Sequence, residues 1–168
     1  MPSHIINNYE HLPKYLAFIH ALRYQWHNDD PMYDHVPVLQ SLRLDSLAAT
    51  GYQSLRCAWI IGCPAELHPL DPSQGEDHRS VTERLYAIAF PQLLPNITVP
   101  EAVGAPCCSQ FVVTRERIRR RSLDEYIKIR TWLQETPLQD SISGRIMEYT
   151  WHSMSIFFVL LSICTSLR

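Results

Sequence analysis

A strand-length apolar run, Lys14-Tyr15-Leu16-Ala17-Phe18-Ile19-His20, spills into a polar segment carrying Trp26, His27, Asn28, Asp29 and Asp30. Neutral imidazoles and carboxylates in one short stretch have the chemistry to bind a divalent metal or steer a diphosphate. Open α/β sheets place their ligands beyond the carboxyl ends of strands, which is where this segment falls. The competing reading is a polar loop whose Asx side chains hold turns and whose Trp26 packs. No metal-ligand spacing is met.

A second group lies in Gly144-Arg145-Ile146-Met147-Glu148-Tyr149-Thr150-Trp151-His152. On a helix, Gly144, Glu148 and His152 repeat every four residues and share one face. That spacing sets a carboxylate beside an imidazole, with a glycine leaving room for an approaching group, and Arg145 within reach of Glu148. One reading makes Glu148 a general base and His152 a metal or phosphate ligand. The other is a helix salt link plus a capping histidine. Cys107-Cys108-Ser109-Gln110 forms a third group. A nucleophilic Cys108 would need a base and a lowered pKa, and no histidine is assigned to it by spacing. Buried cysteine ahead of a strand is the alternative. Adjacent cysteines are expected not to bridge each other, because a disulfide usually joins Cα atoms roughly 4.4–6.8 Å apart.

The elements that must position these groups alternate. Lys14–His20 follows Pro13 as a buried strand, and Leu55–Ile61 reads as a second, closed by Gly62 and Pro64. Ser80-Val81-Thr82-Glu83 has capping-box form and opens a helix carrying Leu85, Ile88 and Ala89, interrupted by Pro91. Gln110–Thr114 is a third strand. Ser122-Leu123-Asp124-Glu125 is a second capping box, leading a helix with Tyr126, Ile129, Trp132 and Leu133 as its apolar stripe until Pro137. A last helix is expected from about Ser141 to His152. Strand, long loop, strand, helix, strand, helix, helix predicts an α/β domain with a mostly parallel sheet flanked by helices. Three strands are fewer than the five or so of a typical sheet, so either further strands escape the pattern or the domain is incomplete.

Composition removes several function classes. The 168 residues suffice for one domain with a sizeable core, expected over 1–152, with 153–168 as an apolar tail. Apolar residues at 46% and charged residues at 19% describe a folded chain, not a disordered one. A net charge of -2 gives no field for nucleic acid or an anionic membrane. The one basic concentration, Arg115 to Arg121, has Glu116, Asp124 and Glu125 in or beside it and reads as a solvated helix face. No signal pattern opens the chain, and the tail run Ile156–Cys164 is about half the roughly 20 residues that a membrane span needs. Five cysteines without framework spacing make a reduced, cytoplasmic setting the default.

Five separated motifs carry a resemblance. They are Asn8-Tyr9-Glu10-His11-Leu12-Pro13, Phe18-Ile19-His20 with Trp26-His27-Asn28, Gly62-Cys63-Pro64-Ala65-Glu66, Cys107 through Arg115, and Ser143 through His152. In this order, over roughly Ile5 to His152, the chain resembles the fungal family of unknown function DUF3431. Members carry a further segment ahead of the first motif, which looks like the first nucleotide-binding strand of a GT-A glycosyltransferase. The chain shows no counterpart to it, so an incomplete GT-A-like sheet with an unpaired edge is expected. After the Trp-His pair, members continue differently, and the tail from Ser153 looks like translated intron or a shifted frame.

What the resemblance implies is a glycosyltransferase-like tailoring protein of fungal secondary metabolism, acting on a nucleotide sugar and a small-molecule acceptor. His20 and His152 would be ligands to a divalent metal, manganese or magnesium. Glu148 and Asp29 would be the catalytic carboxylates. Trp26, His27, Asn28, Gln110 and Arg145 would bind substrate. The alternative is a catalytically inactive remnant, or an accessory binding protein of a biosynthetic gene cluster.

Overall fold

β3, Phe111–Thr114, is the central element, with all four of its residues buried. Its apolar, β-branched run belongs to a strand covered on both faces. β1 (Tyr15–Phe18) and β2 (Tyr52–Ser54) pair with it on either side, giving the order β1-β3-β2. Both pairings are antiparallel, with Leu16 opposite Val113, Phe18 opposite Phe111, and Tyr52 opposite Val113. These elements come from a computed structural model that describes residues 1–58 and 62–155.

The expected mostly parallel, GT-A-like sheet is therefore corrected to a small antiparallel one. β1 and β2 do run the same way, as strand–helix alternation implies, but β3 enters between them in reverse. The reason lies in the connection. No helix leads directly into β3; an extended stretch containing Pro95, Pro100 and Pro106 does, and extended chain can re-enter a sheet from either end. That stretch lies against residues 62–67, where Leu67 and Val103 form an antiparallel bridge and the Ala105 N–H donates to the Gly62 carbonyl at 2.8 Å. Gly62, at φ 106°, has no room for a side chain there: a Cβ would sit 2.0 Å from the Ala105 carbonyl oxygen.

Eight α-helices are described. The first, α1 (Pro2–Asn7), precedes β1; α2 (His35–Gln40) and α3 (Leu44–Thr50) fill the expected long loop between β1 and β2. After β2 come α4 (His78–Leu93), α5 (Arg115–Ile118), α6 (Leu123–Glu135), α7 (Asp140–Glu148) and α8 (Trp151–Ser155). Side-chain alternation along β3 divides the core. Phe111 and Val113 join Leu16, Tyr86, Phe90, Ile129 and Ile146 on one face, while Val112 meets Leu47 and Leu55 on the other. Helices thus cover both faces of the sheet.

Several boundaries differ from the sequence expectation. Leu55–Ala58 is not strand, β2 lies just before it, and Trp59–Ile61 fall outside the described residues. Asp77, not Ser80, caps α4 and accepts from the Arg79 and Ser80 amides; Ser80 Oγ donates back to its carboxylate. Pro91 sits inside α4, which runs on to Leu93; Ala89 is buried as expected, but Ile88 is exposed, and Tyr86, Phe90 and Leu93 are buried with Ala89. The capping box of Ser122 and Glu125 forms as expected and opens α6. α6 packs its Tyr126 and Ile129 inward and stops two residues before Pro137.

The single last helix is in fact two. α7 ends at Glu148, Tyr149 and Thr150 turn, and α8 restarts at Trp151. The core continues past residue 152: Met154 is buried in it, and the Arg121 guanidinium donates to the Ser153 and Met154 carbonyls. Arg121 is accordingly a buried tie and not part of a solvated basic face. The remainder of the apolar tail, 156–168, lies outside the described residues. No helix among those described is long and apolar enough to cross a membrane.

Candidate functional site around Cys108

Antiparallel pairing of β1 with β3 sets the end of one strand beside the beginning of the other. His20, just past β1, therefore lies next to Gln110, just before β3, and its N–H donates to Gln110 Oε1 at 3.3 Å. Gln110 is buried, and its amide reaches back towards the His27 carbonyl and Asn28 Oδ1, at 3.5 and 3.4 Å. The imidazoles of His20 and His27 stack, with centroids 4.4 Å apart, and Trp26 leans on His27 at 4.2 Å. Gln110 thus acts as the clasp that joins the loop to the sheet.

Burial lowers the pKa of His27, and the neighbouring His20 and Arg56 lower it further, while the Glu148 carboxylate opposes them. That last influence shows the second group arriving at the same place. From the end of α7, Glu148 accepts the Cys108 backbone N–H on Oε1 and an Arg145 Nη1 donor on Oε2, the latter at 2.6 Å. The strand-end cluster and the final-helix carboxylate, far apart in the chain, therefore meet around Cys108. His20, Cys108, Ser109 and Trp151, with Met1, Phe18 and Ile19, line a cavity of about 260 Å³.

Not every candidate joins them. Asn28 is buried and spends both amide donors inside its own loop, on the Arg23 and Tyr33 carbonyls at 2.8 and 2.7 Å, which is the turn-holding reading. Asp29 faces elsewhere: it accepts the Cys57 N–H at 2.8 Å and lines a cavity with Gln53, Ser54 and Cys57 that shares no residue with the first. Trp26 is 54% exposed, under the Arg56 guanidinium at 5.3 Å, so it does not pack in the core. Arg145 lines a third cavity with Glu66, His78, Arg79 and Tyr149. Gly144 faces open space, so its missing side chain makes room for nothing.

His152 does not reach the cavity on a common helix face with Glu148, because the helix breaks between them. It is fully buried, neither ring nitrogen has a partner among the described residues, and burial pushes its pKa down to about 4. It is neutral at ordinary pH. Among the described residues the one group of three potential metal ligands is Cys107, Cys108 and Glu148, which includes neither His20, Asp29 nor His152. Manganese and magnesium take oxygen donors. Two sulfurs and a carboxylate already engaged by an amide and an arginine do not fit either ion.

The adjacent cysteines, expected not to bridge, are joined in a disulfide with Cα atoms 3.8 Å apart. Cys108 and Ser109 both take positive φ, 84° and 49°, which is uncommon for residues with side chains and concentrates at functional sites. Bonded in this way, Cys108 has no free thiol to act as a nucleophile. Among the described residues the free cysteine is Cys57. Arg56 was missed by the sequence reading: it donates to the His27 carbonyl at 3.3 Å and lies 3.7 Å from Cys108 Sγ. Its place between loop and disulfide is a tertiary fact with no sequence signal.

No curated protein and no solved structure shows significant similarity to the chain. A family model does match, over residues 2–164, and so takes in most of the apolar tail as well as the five motifs. It is described as protein of unknown function (DUF3431), and the chain belongs to that family.

Proposed function

We propose that this domain binds a small hydroxyl-bearing molecule in the cavity between the end of β1, Cys108–Ser109 and Trp151, and acts as a binding protein without metal-dependent chemistry. The observation that supports this most is the convergence of four separated segments on one cavity, with both apolar walls (Phe18, Ile19, Trp151) and polar ones (His20, Ser109). Such a mixture suits a ligand with a hydrophobic body and a few hydroxyls. The chemistry of the nearby donor set argues against a metal-held diphosphate. Thermal melts with a panel of nucleotide sugars and hydroxylated acceptors, with and without manganese, test the reading. A ligand at 100 times its Kd would add about 2.7 kcal/mol of stability. A rise in Tm that is independent of manganese and lost in His20→Ala is the expected outcome. A rise that needs manganese and survives His20→Ala would overturn it.

A second reading keeps sugar transfer, with Glu148 as the base for an acceptor hydroxyl. It is favoured by the position of that carboxylate, which accepts from Arg145 and the Cys108 N–H and lies within electrostatic reach of His27. In this case Glu148→Gln abolishes donor turnover and leaves acceptor binding intact.

A further inference from the structure

Cys107 and Cys108 are neighbours in the chain, and this changes what their bond can do. An ordinary disulfide stabilises a fold largely by closing a long loop in the unfolded chain. A bond between consecutive residues closes no such loop, so the pair gains little as a crosslink. Nor is it sealed. Cys107 is 4% exposed, but Cys108 is half-buried and forms part of the wall of the cavity shared with His20, Ser109 and Trp151. The Arg56 guanidinium, anchored on the His27 carbonyl, stands 3.7 Å from Cys108 Sγ. A cation there attracts an incoming thiolate and stabilises one left behind.

We propose that Cys107–Cys108 is a redox-active site, a disulfide that a low-molecular-weight thiol opens through the cavity by attack on Cys108 Sγ. In the first step a thiolate RS⁻ bonds to Cys108 Sγ, the bond between the cysteines breaks, and its electron pair leaves on Cys107 Sγ, which takes a proton from water. In the second step another RS⁻ bonds to the R-group sulfur of the mixed disulfide. Cys108 Sγ departs as a thiolate beside Arg56, and RSSR is released. Two RSH are oxidised to one RSSR, and one protein disulfide is reduced to two thiols. Opening the ring frees the peptide whose N–H holds Glu148, so the redox state of the pair is coupled to that carboxylate.

The test uses the full chain and glutathione. Native protein is alkylated with iodoacetamide before and after exposure to millimolar glutathione, and the tryptic peptide Leu85–Arg115 is weighed. The expected result is no alkyl group before reduction and two after it. Arg56→Met should fold normally and be reduced about tenfold more slowly, the equivalent of one pKa unit of thiolate stabilisation. In the unmodified protein an anionic thiol such as mercaptopropionate should react faster than cationic cysteamine when each rate is divided by the thiol's ionised fraction and compared with the same ratio for a small uncharged disulfide, a comparison that stands even if the variant fails to fold. Two alkyl groups before any reductant would overturn the proposal. So would a pair that resists glutathione in the native protein and reacts only after unfolding, or cysteamine thiolate reacting as fast as mercaptopropionate thiolate after that correction.

Discussion

The first half of α4 and the start of α8 each bury a titratable side chain to 2% exposure, Glu83 in one and His152 in the other. Glu83 accepts the His68 N–H at 2.7 Å and the Ser73 N–H at 2.9 Å, and so ties the preceding loop to the helix. Burial alone would push its pKa up, but the two amides pull it down further, and it is held charged below the usual carboxylate range. Among the described residues His152 has no such partners, and burial removes its charge instead. A buried ionisable group adapts by recruiting donors or by giving up its proton, and the two solutions have opposite consequences. Removing the first strands backbone amides. Removing the second strands nothing.

The largest effect should follow from breaking the satisfied site. Glu83→Ala leaves two amides without acceptors, at about 1–3 kcal/mol each, and should cost about 4 kcal/mol in urea unfolding. A loss below about 1 kcal/mol would show that the loop finds other acceptors. Acidification should break the unsatisfied site. With His152 near pH 4 in the fold and about 6.5 when unfolded, the unfolded chain binds the extra proton first. Stability is therefore complete above pH 6.5, falls by about 3 kcal/mol as the pH drops to about 4, and is flat below that. The lowered pKa of His27 adds a loss of the same sign. His152→Leu should flatten that part of the profile and, at neutral pH, stay within about 1.5 kcal/mol of the parent. A metal ligand would behave otherwise, losing metal affinity on the same substitution. The smallest effect comes from the surface version of the Glu83 arrangement. Ser122→Ala removes one half of the α6 capping box and should cost about 1 kcal/mol, which isolates burial as the source of the difference.

Local chemistry was legible in the sequence where it is decided locally. β1 and β3 show as apolar runs, and the Ser122 box gave the start of α6. The Ser80 box misled because Asp77, three residues earlier, offers a charged acceptor to the Arg79 and Ser80 amides and so starts the helix ahead of Ser80. α2 and α3 escaped because each is a short helix with few buried positions, Leu47 being fully buried in α3 and His35 in α2. The break between α7 and α8 carries neither Gly nor Pro. Thr150 Oγ1 donates to the Ile146 carbonyl at 2.6 Å there, a back-bond that bends helices and that sequence does not announce. Strand direction was out of reach because it is set by the path of residues 94–110 and not by their types. At the site, the types His20, Gln110 and Glu148 were legible, while the company they keep was not. Asn28 and Asp29 adjoin in sequence, yet one braces its own loop and the other faces a different cavity.

One consequence of the central place of β3 concerns synthesis. β1 and β2 touch only β3 in the sheet, and β3 begins at Phe111. A ribosome adding roughly 5–20 residues per second needs about 5–20 s to travel from the end of β1 to that point. β1 waits through all of that interval, and β2 from the time Ser54 is added, with no pairing partner yet made. The nascent chain is thus most open to holdase chaperones, and to mispairing with its neighbours on a polysome, before Phe111 arrives.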